Sequence, residues 1–278
     1  MRITVLVDNN TLIDRYFYGE PGVSYFIEEG DVKLLFDVGY SDVFFKNANR
    51  MKISLDDIHA VVISHGHNDH TGGLFYLVKH YIETWAESSK HDKPKLIAHP
   101  ETFSDKYIDK ECIGSLLKEE QLKKHFQLVL SQSEVWLTEK LVFLGQIERK
   151  NDFENKVPIG KWHDHDFVKD DFLMDDSALA YKSSEGLVII TGCSHSGICN
   201  IVEQAKRVCN DERIAAIIGG FHLLNPDEEL LKKTCEYLTG NQIKELYPCH
   251  CTDLKSKIEL SRSFTIKEVG VGLVVEFK

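Results

Sequence analysis

Apolar positions along the chain fall into short runs that alternate with segments of helical period. Ile3–Val7, Val23–Ile27 and Val32–Phe36 read as strands, with Glu29-Gly30-Asp31 as the hairpin turn between the last two. A helical stretch from Ser41 to about Asn49 precedes a buried strand, Ala60-Val61-Val62-Ile63. Leu74, Leu77, Val78, Tyr81, Ile82 and Trp85 then recur at the spacing of an amphipathic helix. The second half repeats the alternation. Ala178–Tyr181 and Leu187–Thr191 read as strands and lead into a helix from about Ile198; a strand at Ala215–Ile218 follows. Asn225-Pro226-Asp227 reads as the start of another helix, with Asn as cap and Pro in the first turn. Glu245–Tyr247 precedes a helix opened by Thr252-Asp253, and Leu273–Phe277 reads as the closing strand.

Two sheets with helices outside each are the economical way to bury this pattern, so the expected class is α/β, a four-layer αββα sandwich. The stretch at about 88–170 breaks the alternation, with Lys-rich helical pieces (Lys118–His125) and an acidic run from Asp164 to Asp176. It is expected to be a polar insertion over the site within a single domain spanning 1–278.

The 278 residues suffice for a sizeable core without disulfides. A net charge of −11 repels polyanions, and no basic stripe is visible, so nucleic acid is not an expected partner. No window approaches the ~18 apolar residues of a membrane span. The seven cysteines show no framework spacing and read as reduced thiols of a cytoplasmic protein.

Chemistry concentrates in the histidines. Strand Val61–Ser64 runs into His65-Gly66-His67-Asn68-Asp69-His70, followed by Thr71-Gly72-Gly73. In an extended segment residues two apart point the same way, so His65 and His67 can converge on one metal. Asp69 and His70 then sit at the turn into a helix and face the other side of the same cavity. Such nitrogen and oxygen donors suit Zn, Mn or Fe and leave room for solvent. Gly72 and Gly73 let the helix start pack closely beneath.

LLFDVG followed by VVISHGHNDHTGG resembles the metallo-β-lactamase superfamily, whose motif is His-x-His-x-Asp-His after a strand. GVSYFIEEG, TGCSHSGICN, IIGGFHL and YPCHCT resemble one branch of it, grouped around an archaeal synthase that joins a dihydropterin to a ribofuranosyl-aminobenzene phosphate. The resemblance covers the chain outside 88–170. It implies one or two divalent ions, with Zn first and Mn, Fe or Mg as alternatives. It further implies that His195 completes the first shell, that His250 is the last ligand and that His222 is a catalytic acid. The last two assignments are open to exchange, because some members take the final ligand from the earlier strand. Many dinuclear members bridge their metals with Asp in a TGD segment, where this chain reads Thr191-Gly192-Cys193. Either the Cys193 thiolate takes that place, or it packs while Asp175 or Asp176 supplies the carboxylate. Asp37 resembles a carboxylate that orients a ligand histidine, with a turn cap as the other reading.

Asp8-Asn9-Asn10 reads as the cavity rim or a plain loop. Cys249 and Cys251 read as packing thiols, His163-Asp164-His165-Asp166 as solvated loop, and His99-Pro100 as a surface turn. His59, His80, His91 and His125 read as surface residues.

The expected activity is that of a metal-dependent hydrolase or transferase acting on a small anionic substrate. Bound water has its pKa lowered from ~15.7 toward ~7 at such a metal. Asp69 orients the nucleophile and a histidine protonates the leaving group. In its narrowest form this is a condensation of a pterin diphosphate. The competing readings are a phosphodiesterase or nuclease, a redox protein, and a metal-binding protein without turnover. Turnover on small esters separates the last of these from the first.

Overall fold

The computed structural model describes residues 1–87, 92–164 and 167–278, which leaves His91, His165 and Asp166 outside the described residues. Its first sheet runs, in spatial order, Val274–Glu276, Arg2–Val7, Ser24–Glu29, Val32–Phe36, Ala60–Val62, Lys95–Ala98 and Gln127–Leu130. The second runs Thr265–Ile266, Glu245–Cys249, Ile214–Gly220, Gly186–Thr191, Ala178–Ser183, Leu141–Phe143 and Val135–Trp136.

Alternation along these strands builds the layers. Leu34 and Phe36 point between the sheets, where they join Ile3, Val5, Phe143, Leu179, Val188 and Ile218. Leu35 points outward, into a cluster with Phe44, Leu74 and Leu77 of helices Val43–Arg50 and Leu74–Glu87. The second sheet mirrors this, with Ile189 and Ile217 packed outward against helices Ile198–Cys209, Glu228–Gly240 and Leu254–Leu260. Each large apolar side chain buried in this way contributes roughly 1.5–3 kcal/mol. A one-residue slip would exchange the two faces, so burial fixes the register, with Leu35 opposite Val61. The four-layer αββα expectation holds.

In each sheet the strands nearest the centre pair in parallel: Val32–Phe36 with Ala60–Val62 and Lys95–Ala98, and Gly186–Thr191 with Ile214–Gly220 and Glu245–Cys249. Loops leaving the carboxyl ends of these strands carry the histidine motif, Cys193, His195, His222 and His250. That end of a parallel sheet is where open α/β folds place their ligands.

Two expectations are corrected. The stretch 88–170 is more than an insertion, because Lys95–Ala98 and Gln127–Leu130 belong to the first sheet and Val135–Trp136 and Leu141–Phe143 to the second. What lies apart from both is a small third sheet, ordered Phe167–Asp170, Lys161–Asp164, Asp105–Ile108 and Glu111–Cys112. The helix after Phe221 is capped by Asp227, whose carboxylate accepts from Leu230 N at 2.7 Å, not by Asn225. Asn225 is instead in a left-handed turn, its amide donating to Asp253. Among the described residues no helix is long and apolar enough to cross a membrane.

Candidate metal centre

Two groups of donor atoms, each within 4.8 Å of one another, form at these loop ends. His65 and His67 lie on the loop that leaves the strand, His67 itself in extended backbone, and His195 comes across from the second sheet. The Nε2 atoms of His65 and His195 face each other at 3.2 Å. His67 Nε2 is buried without a hydrogen-bond partner. Asp69 and His70, on the short helix Asn68–Thr71, meet Cys193 and His250 in the second group. Cys193 Sγ lies 3.2 Å from His70 Nε2 and 3.2 Å from His250 Nε2. Asp69 Oδ2 lies 3.5 Å and 3.4 Å from those same nitrogens. The groups adjoin, with the His65 and His70 ring centroids 4.2 Å apart.

Outer contacts aim these side chains. Asp37, buried at the end of its strand, accepts from His70 Nδ1 at 2.7 Å and so turns Nε2 toward Cys193. The same carboxylate accepts from Ser64 N and Ser64 Oγ, and Ser64 Oγ lies 3.0 Å from His65 Nδ1. Asn9 Oδ1 meets His250 Nδ1 at 2.9 Å, and Asp8 accepts from the His250 amide. A carboxylate or amide behind a ligand histidine fixes its ring and raises its basicity. Gly73 lets the motif lie close to the first sheet, since a Cβ there would sit 2.1 Å from Val38 O. Four residues at this edge, Asp37, Ser194, His222 and His250, hold left-handed backbone with φ between 49° and 64°.

Electrostatics suit a cation. Burial holds His65 and His195 well below the ordinary histidine value and lowers His67 to about 4, so all three are neutral at pH 7, as ligation requires. Burial alone would raise the Asp69 carboxyl, but the imidazoles of His70 and His250 more than offset it and hold it ionised. Burial also lowers His70, yet the flanking Asp69 and Asp37 carboxylates drive it well above its usual value. The Cys193 thiol is pushed up by burial and by Cys251, so a thiolate there needs a cation beside it. A His₃ set beside an Asp-His₂-Cys set fits Zn or Fe, with the thiolate favouring the softer ions.

The remaining candidates fall outside both groups. His222 lies tilted against His195, ring centroids 4.3 Å apart, with Nδ1 buried and unpartnered. Asp175 accepts from Gly66 N and from Lys106, and Asp176 accepts from Ser196 N and Oγ. Cys249 meets the Tyr25 hydroxyl, and Cys251 donates to Cys193 O. His99 is buried and bonds Gln146 and the Glu101 amide, so it is not a surface turn. His163 packs on Tyr107 in the third sheet. Lys106 carries no signal in the local sequence, because Asp175 lies 69 residues away; Asn9 lies in the segment read as cavity rim or plain loop, but its partner His250 is 241 residues away.

Burial raises Asp176 to about 6, above its unfolded value of 3.8. A group raised in this way contributes its stability at low pH and loses it as pH rises through about 6. At about 1.4 kcal/mol per pKa unit, Asp176→Asn should gain up to ~3 kcal/mol on the native chain between about pH 4 and 8. Denaturant melts of the metal-free protein across that range measure it; parallel curves would place the buried charge elsewhere.

Beside His195 and His222 opens a cavity of about 260 Å³, walled by Phe153, Val157, Ile159 and Leu230. It offers an apolar wall next to the donor groups.

A family model for the metallo-beta-lactamase superfamily matches residues 18–206. A Methanocaldococcus jannaschii protein named 7,8-dihydropterin-6-methyl-4-(beta-D-ribofuranosyl)-aminobenzene-5'-phosphate synthase is 29% identical, the alignment covering 100% of this chain and 97% of that protein. An uncharacterized protein of the same organism is 30% identical over 96% of this chain and 98% of its own length. The crystal structure of Tm1679, described as a metal-dependent hydrolase of the beta-lactamase superfamily, is similar at a TM-score of 0.82 and 29% identity, covering 99% of this chain and 98% of that one.

Proposed function

The chain belongs to the metallo-β-lactamase superfamily, and on that premise we propose a metal-dependent hydrolase or transferase acting on a small anionic substrate. The observation that carries this reading is the pair of adjoining donor groups, His65–His67–His195 and Asp69–His70–Cys193–His250. Ions held there supply Lewis acidity and an acidified water at neutral pH.

The chain's own residues do the rest. His65, His67 and His195 hold one ion, and Asp69, His70, Cys193 and His250 the second. Asp69 Oδ2 lies between His70 and His250, placed to accept a hydrogen bond from the nucleophile and orient it. His222 stands beside His195, outside both groups, and protonates the leaving group. The cavity, with Phe153, Val157, Ile159 and Leu230 on its apolar side and Lys156 also in its lining, takes the organic part of the substrate.

The named synthase supports the narrower reading, transfer: a second nucleophile bonds to the carbon of a dihydropterin that carries diphosphate, the C–O bond breaks, and diphosphate leaves. The net charge of −11 favours a small anion over a nucleic-acid polymer. The seven cysteines, all free thiols, favour a cytoplasmic setting.

Elemental analysis after anaerobic purification should find one to two transition-metal ions per chain. The loaded protein should then turn over on a panel of phosphoesters, thioesters, lactones and a dihydropterin diphosphate. Protein that cannot be loaded with Zn, Mn or Fe defeats the proposal, and a loaded protein inert on the whole panel marks a binding protein.

A further inference from the structure

His67 is held differently from His70 and His250. Those two are each aimed by a side chain at Nδ1, whereas His67 Nε2 is buried without a hydrogen-bond partner, as is Nδ1 of His195. The peptide groups on both sides of His67 are pinned instead. The Gly66 amide donates to Asp175 Oδ2 at 2.7 Å, and the Asn68 amide donates to Ile113 O at 2.7 Å.

Both lines run back to one residue of the small third sheet. Lys106 Nζ, wholly buried, donates to Asp175 Oδ1 at 2.9 Å and to Asp171 Oδ2 at 3.1 Å. Lys106 O accepts from the Ile113 amide at 2.9 Å. The Lys106 stem also fills the space over Gly66, where a Cβ would sit 2.9 Å from Lys106 Cε and 2.0 Å from Thr102 O. Gly66 therefore admits the third sheet against the motif, and Lys106 closes a ring of bonds around His67. We propose that Lys106 is a positioning residue that sets His67 for metal binding, so that the third sheet controls the first donor group and not the second. This rests on the metal reading above.

Buried ion pairs contribute little net stability, yet removing one partner leaves an uncompensated charge. The test therefore needs two variants. Lys106→Met removes the cation. Lys106→Met with Asp171→Asn removes the cation and one carboxylate, keeping the net charge of the triad while leaving Asp175 for Gly66.

Co(II) titration separates the two groups, because only the Cys193 group gives a thiolate-to-cobalt absorption band. Expected for both variants is a 10–100-fold weaker affinity at the three-histidine group, the range for loss of an outer contact to a ligand. The thiolate band should keep its intensity and midpoint, and Lys106→Arg should recover part of the loss.

Wild-type affinity at both groups in the two variants overturns the proposal. So does loss of both groups together, or failure of both variants to fold, since Lys106 is then a general buttress. Native protein that binds no cobalt at all instead overturns the metal reading itself.

Discussion

Replacing His67 with alanine should lower turnover by about 10³-fold or more, roughly 4 kcal/mol of transition-state stabilisation, while circular dichroism stays native. The asymmetry follows from what the side chain does. His67 Nε2 makes no internal hydrogen bond, so alanine breaks none there. The structural work of the residue is done by its carbonyl, which accepts from Thr71 Oγ1 at 2.9 Å and from the His70 amide at 3.1 Å, and alanine keeps both. What is lost is one of three donors, and with it about one equivalent of metal. Parallel losses of dichroism and activity would make His67 a packing residue.

The second large effect separates His250 from His222. His250 Nε2 lies 3.2 Å from Cys193 Sγ, inside a donor group, so His250→Ala should lose metal and activity together. His222 lies outside both groups, so His222→Ala should keep its metal and slow turnover by ~10²–10⁴ on poor leaving groups. Burial lowers His222, but contact with Cys251 more than offsets this and raises it above the usual value. A general acid works while protonated, so native activity should fall as pH rises through the His222 pKa of the loaded protein. The alanine variant should lack that alkaline limb, and an aryl phosphate should shrink its defect. Metal lost with His222 and kept with His250 would exchange the roles. Cys193→Ser should weaken the second ion selectively; unchanged metal content would return the thiol to packing.

How much was legible depends on the distance over which each feature is encoded. The histidine motif was readable because its donors lie within six residues of a strand end, where period-two geometry already says which side chains converge. The layers were readable because Leu34, Leu35 and Phe36 alternate between two apolar faces. The cap at Asp227 is not legible locally, because Asn and Asp cap equally well and only the fold shows which one the helix reaches. The third sheet is not legible in the sequence because its strands are short and polar, and the pairing of Lys106 with Asp171 and Asp175 spans 65 and 69 residues. Cys193 could be flagged as a departure, but its approach to two histidines depends on loops from different sheets.

The left-handed residues at the cavity edge bear on how this protein would respond to selection. Asp37, Ser194, His222 and His250 each sit in backbone that disfavours any side chain, at about 1–2 kcal/mol apiece, and that glycine adopts freely. A screen for heat resistance of the metal-free protein alone would therefore reward glycine at 222 and 250 and enrich inactive, sturdier proteins. Screens that score melting and turnover together would hold the histidines in place. The same logic makes His222→Ala the cleaner probe of chemistry, because it removes the imidazole and leaves the backbone constraint in place, whereas His222→Gly changes both at once.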